Sequence, residues 1–435
     1  MLIQSLEDNS RGERMFMMKS SQQIVQEKVL GLLSGRNTED PFPLFAQMRE
    51  MGSVFPVQLP MGGADNQVWM VTRMEEVMQV LKDQARFTVD SRKLADNNHV
   101  QQSLTGNTEE SGPSLFLSNS LNAIDEPDHK RLRTLVSKAF TPKYMESLRP
   151  RVQEVADELL DQVQAKGEMD LVKDYANPLP INLISEMIGV PKSDRSKIHE
   201  WSESIANGLG LGRMDPEVAK GLQDFGDYIK QLVVEKRQYP GDDLISHLVA
   251  IEEEGDRLKE SELISMIQLL IFAGHETTST LISTGTLILF DHPEQWEMLK
   301  ADHSLVPSAV EELLRFNGPS TIAGPRYALE DIELGGQQIK KGDVILPLMK
   351  SANRDELQFT QSEELDITRK IKRHLAFGHG IHMCLGAPLA RIEGDIAFTT
   401  LLRRMPNLHL SIPREGVSWQ FKLASQGLTS LPVAF

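Results

Sequence analysis

Apolar residues recur mostly at helical spacing along the chain, and short stretches of alternating apolar and polar residues interrupt them. A helical period places one apolar stripe against a core, whereas alternation at a period of two is typical of a half-buried strand. Helices are predicted to dominate up to about Asn317. The first predicted elements are a helix over Pro41–Met51, strands over Val54–Leu59 and Gln67–Val71, and a helix over Met74–Lys82.

The strand pattern returns only in the C-terminal part of the chain. Short strands are predicted from Arg326 to Leu346, and a hairpin over Val417–Phe435. Strands and helices therefore do not alternate as they do in a doubly wound α/β fold. The sequence predicts a mainly α protein with small β sheets.

No linker, repeat or low-complexity tract divides the sequence. We therefore expect one domain over residues 21–435 after a mobile tail at residues 1–20. The longest loop candidate runs from Asp90 to Ser118. A loop of that length in a compact protein is commonly a lid or a binding loop.

The segment Ser261–Phe290 is apolar on nearly all sides, which is the pattern of a helix buried at the centre of a protein. A helix of this length spans about 45 Å. Into the apolar run the sequence inserts Ala273-Gly-His-Glu-Thr-Thr278. Buried polar groups destabilise a helix unless they are hydrogen-bonded or used. The insert indicates either a chemical function or a polar patch that faces a bound water.

Cys384 is the only cysteine of the chain, and it lies in Phe377-Gly-His-Gly-Ile-His-Met-Cys-Leu-Gly386. A lone thiolate can serve as the axial ligand of a haem iron, and glycines let the backbone approach a flat cofactor. The helix predicted to follow would lower the pKa of the thiol with its N-terminus. On these residues alone, a buried inert thiol stays open. So does a zinc site formed by His374, His379, His382 and Cys384.

The chain carries 62 acidic and 46 basic residues, a formal net charge of −16. This balance argues against a nucleic-acid partner, because phosphate binding needs a basic face. No run of roughly 18 or more uncharged apolar residues occurs, so no membrane anchor is expected. A single cysteine fits a reducing cytoplasm.

The segment around Cys384 resembles the haem-binding signature of the cytochrome P-450 family. The continuation Ala387-Pro-Leu-Ala-Arg391 resembles the soluble bacterial branch, and the resemblance covers roughly residues 40 to 435. It implies the cytochrome P-450 fold, with haem b between the long central helix and the helix after the cysteine loop. Cys384 would supply the thiolate on the iron. The matching positions are Phe377, Gly378, Gly380, His382, Cys384 and Gly386.

The resemblance also implies roles outside the cysteine loop. Glu276 and Thr277 match the family's acid–alcohol pair, which implies a proton-relay acid and a hydroxyl at the oxygen site. His275 is not fixed by the family pattern, and we expect it to face neighbouring helices. The implied propionate contacts are His129, Arg133, Arg326 and His382. The other implied haem contacts are Ala273, Gly274, Phe377, Gly378 and Gly386.

Glu312 and Arg315 stand three residues apart on one predicted helix face, a spacing that is common on exposed helices. In the family this Glu-x-x-Arg pair is buried and joined by a later arginine, which aligns here with Arg369. The resemblance implies that the three residues lock the segment leading to the Cys384 loop and take no part in catalysis.

The implied activity is insertion of one oxygen atom from dioxygen into a lipophilic small molecule, by hydroxylation or epoxidation. No Gly-rich dinucleotide turn occurs, so electrons are expected from a separate ferredoxin or flavodoxin with its reductase. Two alternatives are a peroxide-dependent fatty-acid hydroxylase, a branch that lacks the acid–alcohol pair, and a non-catalytic haem-thiolate sensor. The resemblance implies a cytoplasmic monomer.

A basic cluster precedes the Cys384 loop. We interpret it either as an ordinary solvated face or as a positive patch that steers an acidic ferredoxin. Lys130 and Arg131 are otherwise expected to be exposed to solvent. The cluster consists of Arg369, Lys370, Lys372 and Arg373, and the flanking basic residues are Lys130, Arg131 and Lys138.

The substrate pocket can be outlined only by family correspondence. Its implied lining is apolar or small, and we see no arginine near the iron that is free to anchor a carboxylate. We therefore expect a bulky, neutral, mostly apolar substrate such as a polyketide, terpenoid or steroid, and we disfavour fatty acids. The implied lining residues are Phe272, Ala273, Ile322, Ala323, Gly324 and Ser425.

Overall fold

The computed structural model describes residues 23–31, 40–59, 67–94, 120–208, 216–253, 256–421 and 425–435. The tail predicted at residues 1–20 lies outside the described residues. Residues 95–118 of the predicted Asp90–Ser118 loop lie outside them as well. Residues 91–94, at the start of that loop, form a short 3-10 turn.

Helices form most of the described structure, so the predicted mainly α class with small sheets is confirmed. The helices are α1 (residues 23–31), α2 (Phe42–Met51), α3 (Met74–Lys82), α4 (Asp128–Ser137), α5 (Pro142–Ser147), α6 (Arg149–Gln164), α7 (Pro178–Ile188), α8 (Arg195–Gly208), α9 (Pro216–Gln238), α10 (Leu244–Ala250), α11 (Glu260–Asp291), α12 (Pro293–Ala301), α13 (Val306–Asn317), α14 (Met349–Ala352) and α15 (Ala387–Arg404).

The strands are short and form small sheets. They are β1 (Val54–Val57), β2 (Val68–Val71), β3 (Phe87–Thr88), β4 (Glu168–Asp170), β5 (Glu252–Glu253), β6 (Asp256–Arg257), β7 (Arg326–Ala328), β8 (Ile332–Leu334), β9 (Gln337–Ile339), β10 (Val344–Pro347), β11 (His409–Leu410), β12 (Trp419–Phe421), β13 (Gln426–Leu428) and β14 (Pro432–Ala434). The largest sheet has five strands in the order β1-β2-β10-β7-β3.

The five-stranded sheet is buried on both faces because its residues alternate between two apolar clusters. Val68 and Met70 of β2 face α1 and α2, whereas Trp69 and Val71 face α3. Strands covered on both faces read as nearly continuous apolar runs. This explains why β2 is fully buried although it lies near one edge of the sheet.

The central helix α11 has 32 residues and extends the predicted Ser261–Phe290 by one residue at each end. The Glu262 carboxylate accepts a hydrogen bond from the Lys259 backbone N–H at 2.8 Å. Glycines let α11 approach α15 closely. A Cβ added at Gly285 would lie 2.8 Å from the Phe398 ring, so a larger residue there would force the helices apart.

The C-terminal hairpin prediction is correct only in part. Strands β12 and β13 pair as a hairpin, but β14 leaves them and joins β4 and β11. The register of Val433 with Met169 connects chain segments that are far apart in sequence. Local alternation cannot reveal such a partner, which is why β4 was missed. No helix among the described residues is long and apolar enough to cross a membrane.

Candidate active site

The Cys384 loop is held against the end of α3 by its backbone. Gly380 has φ 76°, and a Cβ there would lie 2.3 Å from the Leu81 carbonyl oxygen, so only glycine fits. The Cys384 N–H donates a hydrogen bond to the Phe377 carbonyl at 2.9 Å. A short 3-10 turn, Gly380–His382, carries the chain to the sulfur. The loop therefore presents its thiol from a fixed backbone.

The Cys384 thiol is accessible to solvent and is also surrounded by protein, so it lines a recess. Burial among these groups raises the pKa of the thiol. The backbone N–H groups of Gly386 and Ala387 and the Arg133 guanidinium act in the opposite direction and favour the thiolate. Because α15 begins at Ala387, these N–H groups form the N-terminus of that helix.

Two histidines meet beside this recess, and three of their four ring nitrogens are buried without a partner. The rings of His129 and His382 lie 4.5 Å apart between centroids. The Nε2 atom of His129 and both ring nitrogens of His382 are buried with no hydrogen-bond partner. Burial lowers the pKa of His382 to about 3, and positive Arg326 adds to the effect. Buried imidazole N–H groups left unpaired indicate a missing acceptor.

Two arginines border the same histidines. Burial lowers the pKa of Arg326 to about 10, and its Nη1 reaches only the carbonyls of residues 323 to 325, at 3.2 to 3.5 Å. Burial also lowers the pKa of Arg133. Within the described ranges neither arginine forms an ion pair with a carboxylate. Two such cations beside unpaired imidazoles fit a ligand with carboxylate groups, as the two haem propionates would supply.

The side chains of the polar insert in α11, residues 273–278, differ in their contacts and in their exposure. The Thr277 hydroxyl donates to the Ala273 carbonyl at 3.0 Å, and Ala273 is exposed. Glu276 is half-buried. His275 is buried and faces His199 of α8, with ring centroids 6.3 Å apart, so the prediction that it faces neighbouring helices is confirmed.

Gly274 of α11 lies against α7. A Cβ at this position would lie 3.3 Å from Ile184 of α7. Gly274 thus allows α11 to pack closely on α7. The haem contact that the resemblance implies for Gly274 stays a prediction.

Sequence reasoning missed a carboxyl buried between α11 and α15. The Thr278 hydroxyl donates to Glu393 Oε2 at 3.2 Å, and burial raises the pKa of Glu393 to about 8. Glu393 has no cation within bonding distance among the described residues. Its only signal in the sequence is a lone acidic residue on the apolar face of a helix.

Glu312, Arg315 and Arg369 come together as one cluster, in which Glu312 and Arg315 are fully buried and Arg369 is 14% exposed. Arg315 donates two bonds of 2.7 Å to the Glu312 carboxylate, and both side chains are fully inaccessible. Arg369 Nε reaches Glu312 at 3.2 Å. The Arg315 guanidinium also donates to the carbonyls of Asn353, Ser362 and Glu364.

The basic cluster is smaller than expected. Arg369 is used in the buried cluster and also donates to the Thr360 carbonyl at 2.6 Å. Arg131 is paired with Glu262 of α11, so the expectation that it is solvent-exposed was wrong. Lys130, Lys138, Lys370, Lys372 and Arg373 are exposed.

Isolated backbone bridges connect the segments that are inferred to line the pocket. Ser320 pairs with Ser425, and Ile322 pairs with Leu348. Ile322 is only 3% exposed and packs in the sheet cluster, and its expected place in the lining stays a prediction. Phe272, Ala323, Gly324 and Ser425 are half-buried and keep an accessible surface.

The zinc alternative has no ligand set. His374 Nε2 lies 3.1 Å from Glu311, away from the thiol. Across the described ranges no group of three or more His, Cys, Asp or Glu side chains could hold a metal ion.

Comparison with known proteins gives consistent results. A family model described as cytochrome P-450 matches residues 210–411. Cytochrome P-450 CYP107DY1 of Priestia megaterium is 47% identical over 373 residues, which cover 84% of this chain and 89% of that protein. The solved bacillaene polyketide synthase cytochrome P-450 PksS of Bacillus subtilis aligns with TM-score 0.81 and 38% identity, over 91% of this chain and 97% of that one. The myxobacterial cytochrome P-450 CYP267B1, solved with myristic acid, aligns with TM-score 0.84 and 38% identity, over 93% and 98%.

Proposed function

The chain belongs to the cytochrome P-450 family and is a cytochrome P-450 monooxygenase. From this premise we propose that Cys384 is the thiolate ligand of haem b, and that the enzyme oxygenates a bulky, neutral, mostly apolar molecule. The family implies haem iron with a cysteine thiolate, and the sequence has a single cysteine. Electrons come from a separate ferredoxin or flavodoxin with its reductase.

One observation carries the haem assignment. Unpaired buried imidazoles of His129 and His382 and two arginines without carboxylate partners surround the recess of the only thiol. A site built for a cation would not gather these groups. Arg133, Arg326 and the two histidines would hold the propionates, and the N–H groups of Gly386 and Ala387 would stabilise the thiolate.

Haem, when bound, would supply a redox-active iron for the activation of dioxygen. The chain's own contribution is proton transfer by residues of α11. Glu276 carries a titratable carboxyl and Thr277 a hydroxyl that already donates to Ala273. Rotation of that hydroxyl toward the oxygen site lets it pass a proton received from Glu276. Protons thereby reach the oxygen site one after another, and they do not reach other atoms of the site.

Thr277→Ala tests the proton relay. The variant should bind haem and substrate, and should consume NADH with less product and more hydrogen peroxide per NADH. Thr286→Ala is the matched control, because Thr286 makes the same type of bond to Ile282, at 2.8 Å, elsewhere on α11. Equal coupling in wild type and Thr277→Ala would assign the protons to another group.

The substrate proposal rests on an implied lining of small and apolar residues with accessible surface, namely half-buried Phe272, Ala323 and Gly324 and exposed Ala273. The relative PksS is named for a polyketide synthase, which supports a polyketide. CYP267B1 was solved with myristic acid, so a fatty acid is the second candidate. Spin-state titrations with a macrolide panel and with fatty acids decide between them. Complete shifts with fatty acids alone would exclude the neutral substrate.

The electron donor is proposed to dock on the exposed cations before the cysteine loop. Lys370, Lys372 and Arg373 are exposed, and Met383, next to Cys384, is 49% exposed. Lys372→Glu with Arg373→Glu should slow reduction by an acidic ferredoxin but not by dithionite. The control is the same reversal at Lys340 and Lys341 on the β9–β10 turn. If the control slows the reaction equally, net charge and not this patch governs docking.

A further inference from the structure

Lys350 is buried more completely than almost any other charged side chain described. It lies in α14 and is 2% exposed. Its Nζ donates to Asn317 Oδ1 at 2.6 Å and to Gln426 Oε1 at 2.7 Å. Both acceptors are neutral amide oxygens that are themselves buried. A lysine confined in this way destabilises the fold unless its bonds are used.

The two acceptors belong to different segments that border the inferred pocket. Asn317 ends α13, directly before residues 318–325, and Gln426 begins β13. The Gln426 N–H also donates to the Pro319 carbonyl at 3.2 Å. In addition, the backbone N–H of Met349, the residue before Lys350 in α14, donates a hydrogen bond to the Thr321 carbonyl at 2.9 Å. Lys350 therefore hydrogen-bonds to both of the chain segments that form the Ser320–Ser425 bridge.

Lys350 does not contact the recess itself. Cys384 is exposed at the recess, whereas Lys350 is almost inaccessible to solvent. Its charged neighbours are Arg354, which lowers its pKa, and Asp40, which raises it. Burial is the main cause, and the pKa falls to about 7. A neutral amine keeps two N–H donors, enough for both amide oxygens.

We propose that Lys350 is a positioning residue that fixes the spacing between residues 318–325 and the β13 strand, and thereby which bulky ligands the pocket accepts. The inference rests on the proposed function only in that these two segments line the pocket of the haem site. Lys350 adds two hydrogen bonds to segments that also meet through their backbones, one at the helix end through Asn317 and one through Gln426. No backbone bond described here connects Asn317 with Gln426 directly.

Lys350→Met is the direct test, because it keeps the length of the side chain and removes its donors. Tyr175→Phe is the matched control, since it removes a buried hydroxyl that donates to the Ala397 carbonyl at 3.1 Å, far from these segments in the fold. Amide hydrogen exchange of the holoenzyme is the first measurement. Exchange should rise by roughly tenfold in both segments in Lys350→Met and in neither in Tyr175→Phe.

Binding of graded imidazoles is the second measurement. The Kd of imidazole, which occupies only the iron, should be unchanged, whereas the Kd of the bulky econazole should change by roughly tenfold. If the chain bound no haem, neither imidazole would give a titration signal. The amide hydrogen exchange of the two segments would still test the proposal. Unchanged exchange in both segments, or equal changes for both imidazoles, would overturn it.

Asn317→Leu serves if Lys350→Met does not fold. It removes one acceptor and leaves the bond from Lys350 to Gln426. Exchange should then rise in residues 318–325 and stay unchanged in β13. Equal rises in both segments would show general loosening and contradict the positioning role.

Discussion

Two clusters of buried charge in this protein differ in how their groups are paired. Around Glu312 each charged group has partners, and Arg315 alone donates five hydrogen bonds. Around His382 three imidazole nitrogens, both of His382 and Nε2 of His129, have no partner, and Arg326 reaches only three carbonyls at 3.2 to 3.5 Å.

The difference separates a structural cluster from a ligand site. A buried ion pair with every donor satisfied fixes one geometry and leaves nothing to bind another molecule. Buried cations without anions destabilise the protein alone, and an anionic ligand would relieve that destabilisation. The pairing state, more than the burial of a charge, therefore indicates function.

The largest expected effect is on the paired cluster. Glu312→Gln leaves the Arg315 charge buried without its anion and should lower the free energy of unfolding by about 3–5 kcal/mol. Glu297→Gln on α12 breaks an exposed pair with Lys300 and should cost below about 1 kcal/mol. Denaturant unfolding of both variants checks the contrast. Equal losses would mean that the buried pair has no special role.

Glu393 tests a buried carboxyl that has no cation at all. Its pKa is raised to about 8 in the folded protein, so the unfolded chain ionises first and stability falls as pH rises from about 4.5 to 8. Glu393→Gln should remove up to about 1 kcal/mol per pH unit of that slope and be more stable than wild type at pH 8. The check is unfolding at several pH values. A slope unchanged in the variant would show that Glu393 is ionised in the fold.

We call the groups around His382, namely His129, His382 and Arg326, the unpaired cluster. For this cluster we expect an effect on the free energy of unfolding that is opposite in sign to that of Glu312→Gln. Arg326→Met removes a buried cation whose pKa is depressed to about 10. The apoprotein should gain about 1–2 kcal/mol, while haem should dissociate faster from the holoprotein. Arg414→Met, which breaks an exposed pair with Asp291, should change neither quantity. A less stable apoprotein with unchanged haem retention would assign Arg326 a structural role.

The sequence alone predicted elements that depend on local pattern. The helix Met74–Lys82 has the predicted bounds, because its apolar stripe and its flanking residues are local. The lone cysteine among glycines led to the thiol recess for the same reason. The resemblance, not the pattern, brought Glu312 and Arg369 together across 57 residues.

What the sequence could not show depends on contacts between distant segments. The bond from Thr278 to Glu393 joins two helices 115 residues apart, and the pair of Arg131 with Glu262 spans 131 residues. Gly274 faces α7 because of the rotation of α11, which residue identity does not determine. Lys350 reads as an ordinary surface lysine until Asn317 and Gln426 are found around it.

The most direct test of the central claim is the absorbance of the reduced carbon monoxide complex of Cys384→Ser. If the unpaired cluster and the thiol recess form a haem-thiolate site, the wild-type complex shows the red-shifted Soret band of thiolate ligation. The serine variant should lose that band. A red-shifted band retained in Cys384→Ser would contradict the account, because the chain has no second cysteine to replace the ligand.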